Sequence, residues 1–365
     1  MPSLIRPLAL ASIAIVIGVT AVAVDSVSAP DAAAAADPGR PRSSPSRFTA
    51  SSGDPTEFWN LERMSRATPM DVVRTNRKRP KVRVSKETGR KAQRVPGVAV
   101  PGEQTGRVVQ AAQNQPSAVY PYPFGRRGLE QVLNKVAPYR AVGRVFFRFQ
   151  GGLFSCSGAS VTGGPRHVVF TAGHCLNDGL GSGPSHWATD VIFVPARRPG
   201  KSKNPYGSFA AKELWVPAGW SDNQWFPFDI GAFNVAKNQK SKPLRKSVGA
   251  LGFAYNEGRV QHFDMFGYPA APPFGGNRMI ACSTQHAVDD ADPSGPDPIG
   301  VGCDMTGGSS GGPWILRLRR GNLLNGVTSF GYSEQPHALY SPYFDGTANN
   351  LRCAAATGNP NAQTC

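Results

Sequence analysis

The sequence predicts an all-β fold of short antiparallel strands, and three observations carry that expectation. Val142 to Phe149, Val168 to Thr171, Val191 to Val194, Gly249 to Ala254, Val260 to Phe266 and Leu323 to Phe330 are short runs rich in Val, Phe and Ile. Gly, Pro, Asn and Asp separate them at irregular spacing with no long helical pattern between, the layout of an antiparallel barrel or sandwich. Six cysteines, an even number, suit a disulfide-bonded protein. At 365 residues, 40% hydrophobic and 18% charged, the chain can build a real core and is not wholly disordered. Its 41 glycines follow no G-X-Y period, and it has a single long apolar run, which excludes collagen and a multi-span membrane protein.

That run opens the chain. Residues 1 to 36 hold Arg6, an apolar stretch from Leu8 to Val24, and then small residues through Ala36, the layout of a secretory signal peptide cut after one of Ala33 to Ala36. Asp25, not a basic cluster, follows the stretch, so no stable membrane association is expected after cleavage. Residues 37 to 127 carry 18 Lys and Arg against seven Asp and Glu, the larger part of the +16 formal charge. Their Pro, Ser and Arg content and lack of periodicity predict a flexible, basic prosegment, with Arg77-Lys78-Arg79 and Arg126-Arg127 as processing sites. The high pI would suggest a polyanion binder, but the basicity lies mostly outside residues 128 to 365, and no nucleic-acid partner is expected for the mature form.

Leu129, Val132, Leu133 and Val136 fall at i, i+3, i+4 and i+7, which predicts one short amphipathic helix between Gly128 and Arg140 before the strands begin. Six cysteines allow fifteen pairings. Loop closure favours near neighbours, hence Cys156 with Cys175, Cys282 with Cys303 and Cys353 with Cys365. No C-x-x-C occurs and no two histidines stand three to five apart, so neither a metal nor another cofactor is expected.

Three segments bear chemistry: Thr171-Ala172-Gly173-His174-Cys175, Phe228-Asp229-Ile230-Gly231-Ala232 and Thr306-Gly307-Gly308-Ser309-Ser310-Gly311-Gly312-Pro313. A hydroxyl is a poor nucleophile at neutral pH and needs a base. The base needs a carboxylate to hold its tautomer, and the developing oxyanion needs fixed N–H donors, for which Gly308 and Ser310 are placed. Each piece alone reads as a turn, a surface histidine or a strand cap. Together, in the order His, Asp, Ser, they form a nucleophilic constellation.

TAGHC, FDIGA and GGSSGGP resemble the three signatures of the chymotrypsin-like, or trypsin-like, serine peptidases. Gly143 to Phe147, Phe266-Gly267-Tyr268-Pro269 and Cys303 to Ser310 are similar to secreted actinobacterial members related to the glutamyl endopeptidases, and the resemblance spans about residues 140 to 345. It implies two packed six-stranded antiparallel β-barrels, with His174 and Asp229 on the first and Ser310 on the second. Ser310 would attack, His174 would act as base and then acid, and Asp229 would orient it. Ser329, Phe330 and Gly331 match the segment beside the substrate backbone. Ser309 stands where animal trypsin-like enzymes carry an Asp that pairs with a new N-terminus, which argues against that activation switch. Ser329 stands where glutamate-specific relatives place a His, which argues against glutamate preference. Asp304, six residues before Ser310, has the spacing of the carboxylate that gives trypsins their Lys or Arg preference. It equally reads as a turn residue beside Cys303, which would leave a neutral pocket lined by Thr306 and Ser329.

The expected protein is thus a secreted, extracellular, monomeric serine endopeptidase acting on polypeptides, with Asp304 suggesting a basic residue before the cleaved bond. The alternatives are an inactive binding protein on the same fold and a polyanion binder acting through its basic arm.

Overall fold

A computed structural model describes residues 42–50, 53–75, 89–100, 119–129, 135–198 and 204–365. The signal-peptide reading of residues 1 to 36, the Arg77-Lys78-Arg79 cluster and residues 130–134 of the helix expected between Gly128 and Arg140 lie outside these residues.

Six antiparallel strands close the first barrel. They pair in the order Phe209–Pro217, Gly231–Val235, His167–Thr171, Gly152–Val161, Val142–Phe149 and Thr189–Pro195, and the last returns to the first through Phe193 opposite Phe209. Alternation along Val142–Phe149 explains the closure. Val145 and Phe147 point into the barrel with Val169, Phe193, Leu214 and Phe233, while Phe146 faces outward. The second unit is one large sheet whose path runs through Gln335–Ser341, Ile299–Gly302, Ile280–Asp289, His262–Gly267, Pro313–Leu316, Leu323–Val327 and Gly252–Tyr255. It is mostly antiparallel, although Gly252–Tyr255 lies parallel to Leu323–Val327. A third apolar layer joins the two, with Phe170 and Ala232 of the barrel meeting Phe253, Phe266 and Phe344, closed by the helix Gly346–Thr357. No described helix is long and apolar enough to cross a membrane.

The basic stretch is not a loose chain where it is described, which departs from the expectation of flexibility. Pro45–Thr49 adds an edge strand to Phe209–Pro217, Gln93–Val95 adds one to Gly252–Tyr255, and Phe124–Gly128 pairs with Ile280–Asp289. Trp59 and Met64 cover the outward Phe146 together with Ile192 and Val194. Its arginines meet acids of the body: Arg47 with Glu213, Arg94 with Glu257 and Arg126 with Asp304. Backbone ladders and ion pairs supplied by distant strands therefore offset the chain entropy that this apolar-poor sequence could not offset alone. Arg126 and Arg127, expected as a processing site, lie within a paired strand with exposed side chains.

Three disulfides form, Cys156–Cys175, Cys282–Cys303 and Cys353–Cys365, the pairing that loop closure favoured. The first ties the Gly173–Cys175 turn to the strand Gly152–Val161 over a sequence separation of 19. Replacing Cys156 and Cys175 together by Ala is expected to lower unfolding stability by about 3 kcal/mol on the chain-entropy estimate. Urea unfolding checks this, and an unchanged midpoint would contradict it.

Candidate active site

Each side chain of the constellation sits where a strand of one unit meets a turn. His174 lies in the single-turn helix Gly173–Cys175 directly after His167–Thr171, and the Cys156 bridge fixes the next residue. Asp229 follows the turn Phe226–Phe228 and precedes Gly231–Val235, the strand that pairs with His167–Thr171, so ladder geometry brings the two together. Asp229 is fully buried and accepts three hydrogen bonds: from the His174 backbone N–H at 2.8 Å, from His174 Nδ1 at 2.8 Å and from Ser329 Oγ at 2.5 Å. Charge-assisted bonds of this kind fix both the position and the tautomer of the ring.

Ser310 sits on a tight turn before Pro313–Leu316. Gly308 and Gly311 there have φ of +92° and +77°, which only glycine adopts without strain. Ser157 on the first barrel steadies this loop. Its N–H donates to the Ser310 carbonyl at 2.7 Å, and its hydroxyl donates to the Gly308 carbonyl at 2.8 Å while accepting from the Tyr268 N–H at 2.9 Å. The Gly308 carbonyl is thereby turned away and its N–H faces the cleft. Sequence reasoning missed Ser157, although its place next to Cys156, on the strand bridged to the histidine turn, was a usable signal.

A segment of the N-terminal stretch occupies the cleft. Thr68–Pro69 lies parallel to Gly152–Val161, and Val73–Arg74 lies parallel to Phe330–Tyr332, so the chain between them crosses from one unit to the other. The Met70 carbonyl accepts from the Gly308 N–H at 2.7 Å and from Ser310 Oγ at 3.3 Å. His174 Nε2 is buried and finds no hydrogen-bond partner among the described residues. The structure therefore joins His174 to Asp229, while the Ser310 hydroxyl is bonded to Met70.

Ser329 turns its hydroxyl to Asp229, while Phe330 is buried among Phe226, Tyr332 and Tyr340. Gly331 donates its N–H to the Val72 carbonyl at 3.1 Å. Thr306 donates its hydroxyl to Ala271, and Ser309 donates its own to Thr306. Asp304 pairs with Arg126 beside Phe274.

A closed antiparallel barrel and a second sheet, meeting over a buried Asp–His pair beside a serine on a glycine turn, define a double-barrel serine peptidase. The thermostable serine protease AL20 from an extremophilic microorganism is 35% identical at a TM-score of 0.55, over 60% of this chain and 99% of that one. Protease Anisep from Arthrobacter nicotinovorans is 36% identical at 0.54, over 61% and 98%. A Glu endopeptidase in complex with MPD is a distant likeness, 17% identical at a TM-score of 0.45, over 60% of this chain and 91% of that one. No family model and no curated protein sequence matches the chain. The chain belongs to the chymotrypsin-like serine peptidase family.

Proposed function

We propose that the protein is a secreted serine endopeptidase that cleaves polypeptides through an acyl-enzyme on Ser310. His174 takes the Ser310 proton and returns it to the leaving amine. Asp229 holds the imidazole, and the Gly308 and Ser310 N–H groups stabilise the oxyanion. The observation that carries this reading is the Gly308 N–H donating to a peptide carbonyl, that of Met70, beside Ser310 Oγ. The site already receives a backbone carbonyl in the place where a substrate's would be polarised. Secretion is supported by the layout of residues 1 to 36 and by three disulfides, which persist in oxidising compartments.

The ion pair with Arg126 supports the structural role for Asp304. While Phe124–Gly128 stays paired to Ile280–Asp289, the Asp304 charge is answered within the chain, and the pocket before the cleaved bond reads as neutral. The polyanion-binding alternative loses support for the same reason, since Arg47, Arg74, Arg94 and Arg126 are engaged by acids of the body.

Labelling with an organophosphonate serine probe, followed by peptide mapping, tests the enzyme against the inactive-binder reading. The expected label is on Ser310. A folded, secreted protein freed of residues 37 to 127 that takes no label would leave only the binding function. N-terminal sequencing of the secreted form then tests removal of the basic stretch, with a mature start expected between about Arg79 and Arg140, at the basic clusters that flank its C-terminal half.

A further inference from the structure

We propose that Thr68–Arg74 is a built-in inhibitor of the cleft, with the Met70 carbonyl seated in the oxyanion hole and Arg74 as its clamp. The inference rests on the peptidase reading and names the regulation of that same site.

Four observations carry it. The segment is anchored at both ends of the cleft: the Met70 N–H donates to the Ser155 carbonyl at 2.9 Å on the first barrel. On the second unit, the Gly331 and Ser333 N–H groups donate to the Val72 and Arg74 carbonyls, each at 3.1 Å. Its middle covers the reacting groups. The Met70 carbonyl takes the Gly308 N–H that a substrate would need, and Asp71 rests against Gly307, where an added Cβ would come within 2.9 Å of the Asp71 Cβ. Desolvation by the surrounding packing pushes the Asp71 carboxyl above its ordinary value, opposed by the neighbouring His174 and by the N–H groups of Val72 and Gly307.

The third observation explains why the segment blocks the site without being cut. Ser310 Oγ donates its hydrogen to the Met70 carbonyl oxygen. Attack requires the opposite arrangement, with the hydroxyl proton on His174 Nε2 and an oxygen lone pair on the carbonyl carbon. His174 Nε2 has no partner among the described residues, so the base is not engaged with the nucleophile.

The fourth is the clamp. The Arg74 guanidinium lies over Phe226 at 4.3 Å, Phe330 at 5.0 Å and Tyr332 at 5.6 Å from the ring centroids. Its Nη1 is 3.4 Å from an Asp290 carboxylate oxygen and 3.9 Å from one of Asp292. Asp290 is 2% exposed, and its carboxylate also accepts from the Tyr332 hydroxyl at 2.7 Å. A planar cation stacked on rings and edged by buried carboxylates is held more strongly than a surface ion pair. Phe226 comes from the turn that positions Asp229, and Phe330 follows Ser329. The clamp is therefore fastened to the walls of the site itself.

The test uses the full chain and reads the rate at which a fluorophosphonate labels Ser310. Arg74→Ala removes the clamp. Val72→Asp places a carboxylate against the apolar cluster of Phe330, Tyr332 and Tyr340 on which Val72 packs. Each is expected to raise the labelling rate at least about tenfold over the parent. Arg74→Lys should fall between, because it keeps the charge and loses the planar stacking. Equal labelling rates in parent and variants would overturn the inhibitor while leaving the peptidase standing. No labelling of any form would remove the peptidase reading and the inhibitor with it. Should Val72→Asp not fold, Arg74→Ala decides alone, since that side chain is 20% exposed and its truncation leaves the strand pairing in place.

Discussion

Replacing Ser310 by Ala is expected to lower peptide hydrolysis by about 10³- to 10⁶-fold and leave the fold intact. The folding half of this follows from what the Ser310 side chain touches. Its hydroxyl makes one bond, to the Met70 carbonyl at 3.3 Å, whereas the turn is held by backbone groups: the Ser157 N–H on the Ser310 carbonyl, the Gly311 N–H on Thr328 and the Gly312 N–H on Ser309. Deleting one oxygen disturbs none of these. The activity half follows from chemistry, because among the described residues no other hydroxyl is bonded to the same carbonyl, and Ser309 gives its own to Thr306. Turnover of a peptide library by secreted wild-type and variant protein measures the ratio, with the circular-dichroism spectrum as the control. A folded Ser310→Ala protein that retains near-normal turnover would end the mechanism.

The parts of the site legible in the sequence were those whose neighbours in space are also neighbours in the chain. Gly308 to Gly312 form one turn, His174 directly precedes Cys175, and the disulfide partners are the nearest cysteines along the chain. Val142–Phe149 was legible as a strand because β-branched and aromatic residues crowd it. Its unbroken Val145-Phe146-Phe147 run held a further message: Phe146, on the outer face, needs a cover, and Trp59 and Met64 provide it from a stretch read as flexible. That stretch was opaque because its strands are two to five residues long, too short for a period-2 pattern, and their partners lie far away in the chain. The same distance hid the setting of Asp304. Spacing from Ser310 could suggest a specificity carboxylate, but only the fold brings Arg126 to it from 178 residues away. Ser329 likewise read as a wall of the substrate groove, since nothing local shows that its hydroxyl reaches Asp229.

That last contact sharpens the second large expectation, a loss of about 10⁴-fold in kcat for Asp229→Asn with little change in KM. The carboxylate works here purely as an acceptor, taking the His174 N–H, His174 Nδ1 and the Ser329 hydroxyl on its two oxygens. An amide of the same size has one acceptor oxygen and one donor nitrogen. If its oxygen stays on the His174 backbone N–H, its NH₂ faces both Nδ1 and the Ser329 hydroxyl. Nδ1 must then accept, which places the ring proton on Nε2 and removes the base that Ser310 needs. If the amide flips, the donor meets the backbone N–H in a fully buried site, an unsatisfied pair costing about 1–3 kcal/mol of stability. The first arrangement is therefore favoured, and the fold should survive while the base is lost. Because the substrate groove is untouched, the loss belongs in kcat and in the labelling rate of Ser310, which falls in parallel. A tenfold or smaller loss in kcat would show that Ser329 and the burial of the ring hold the tautomer without the charge.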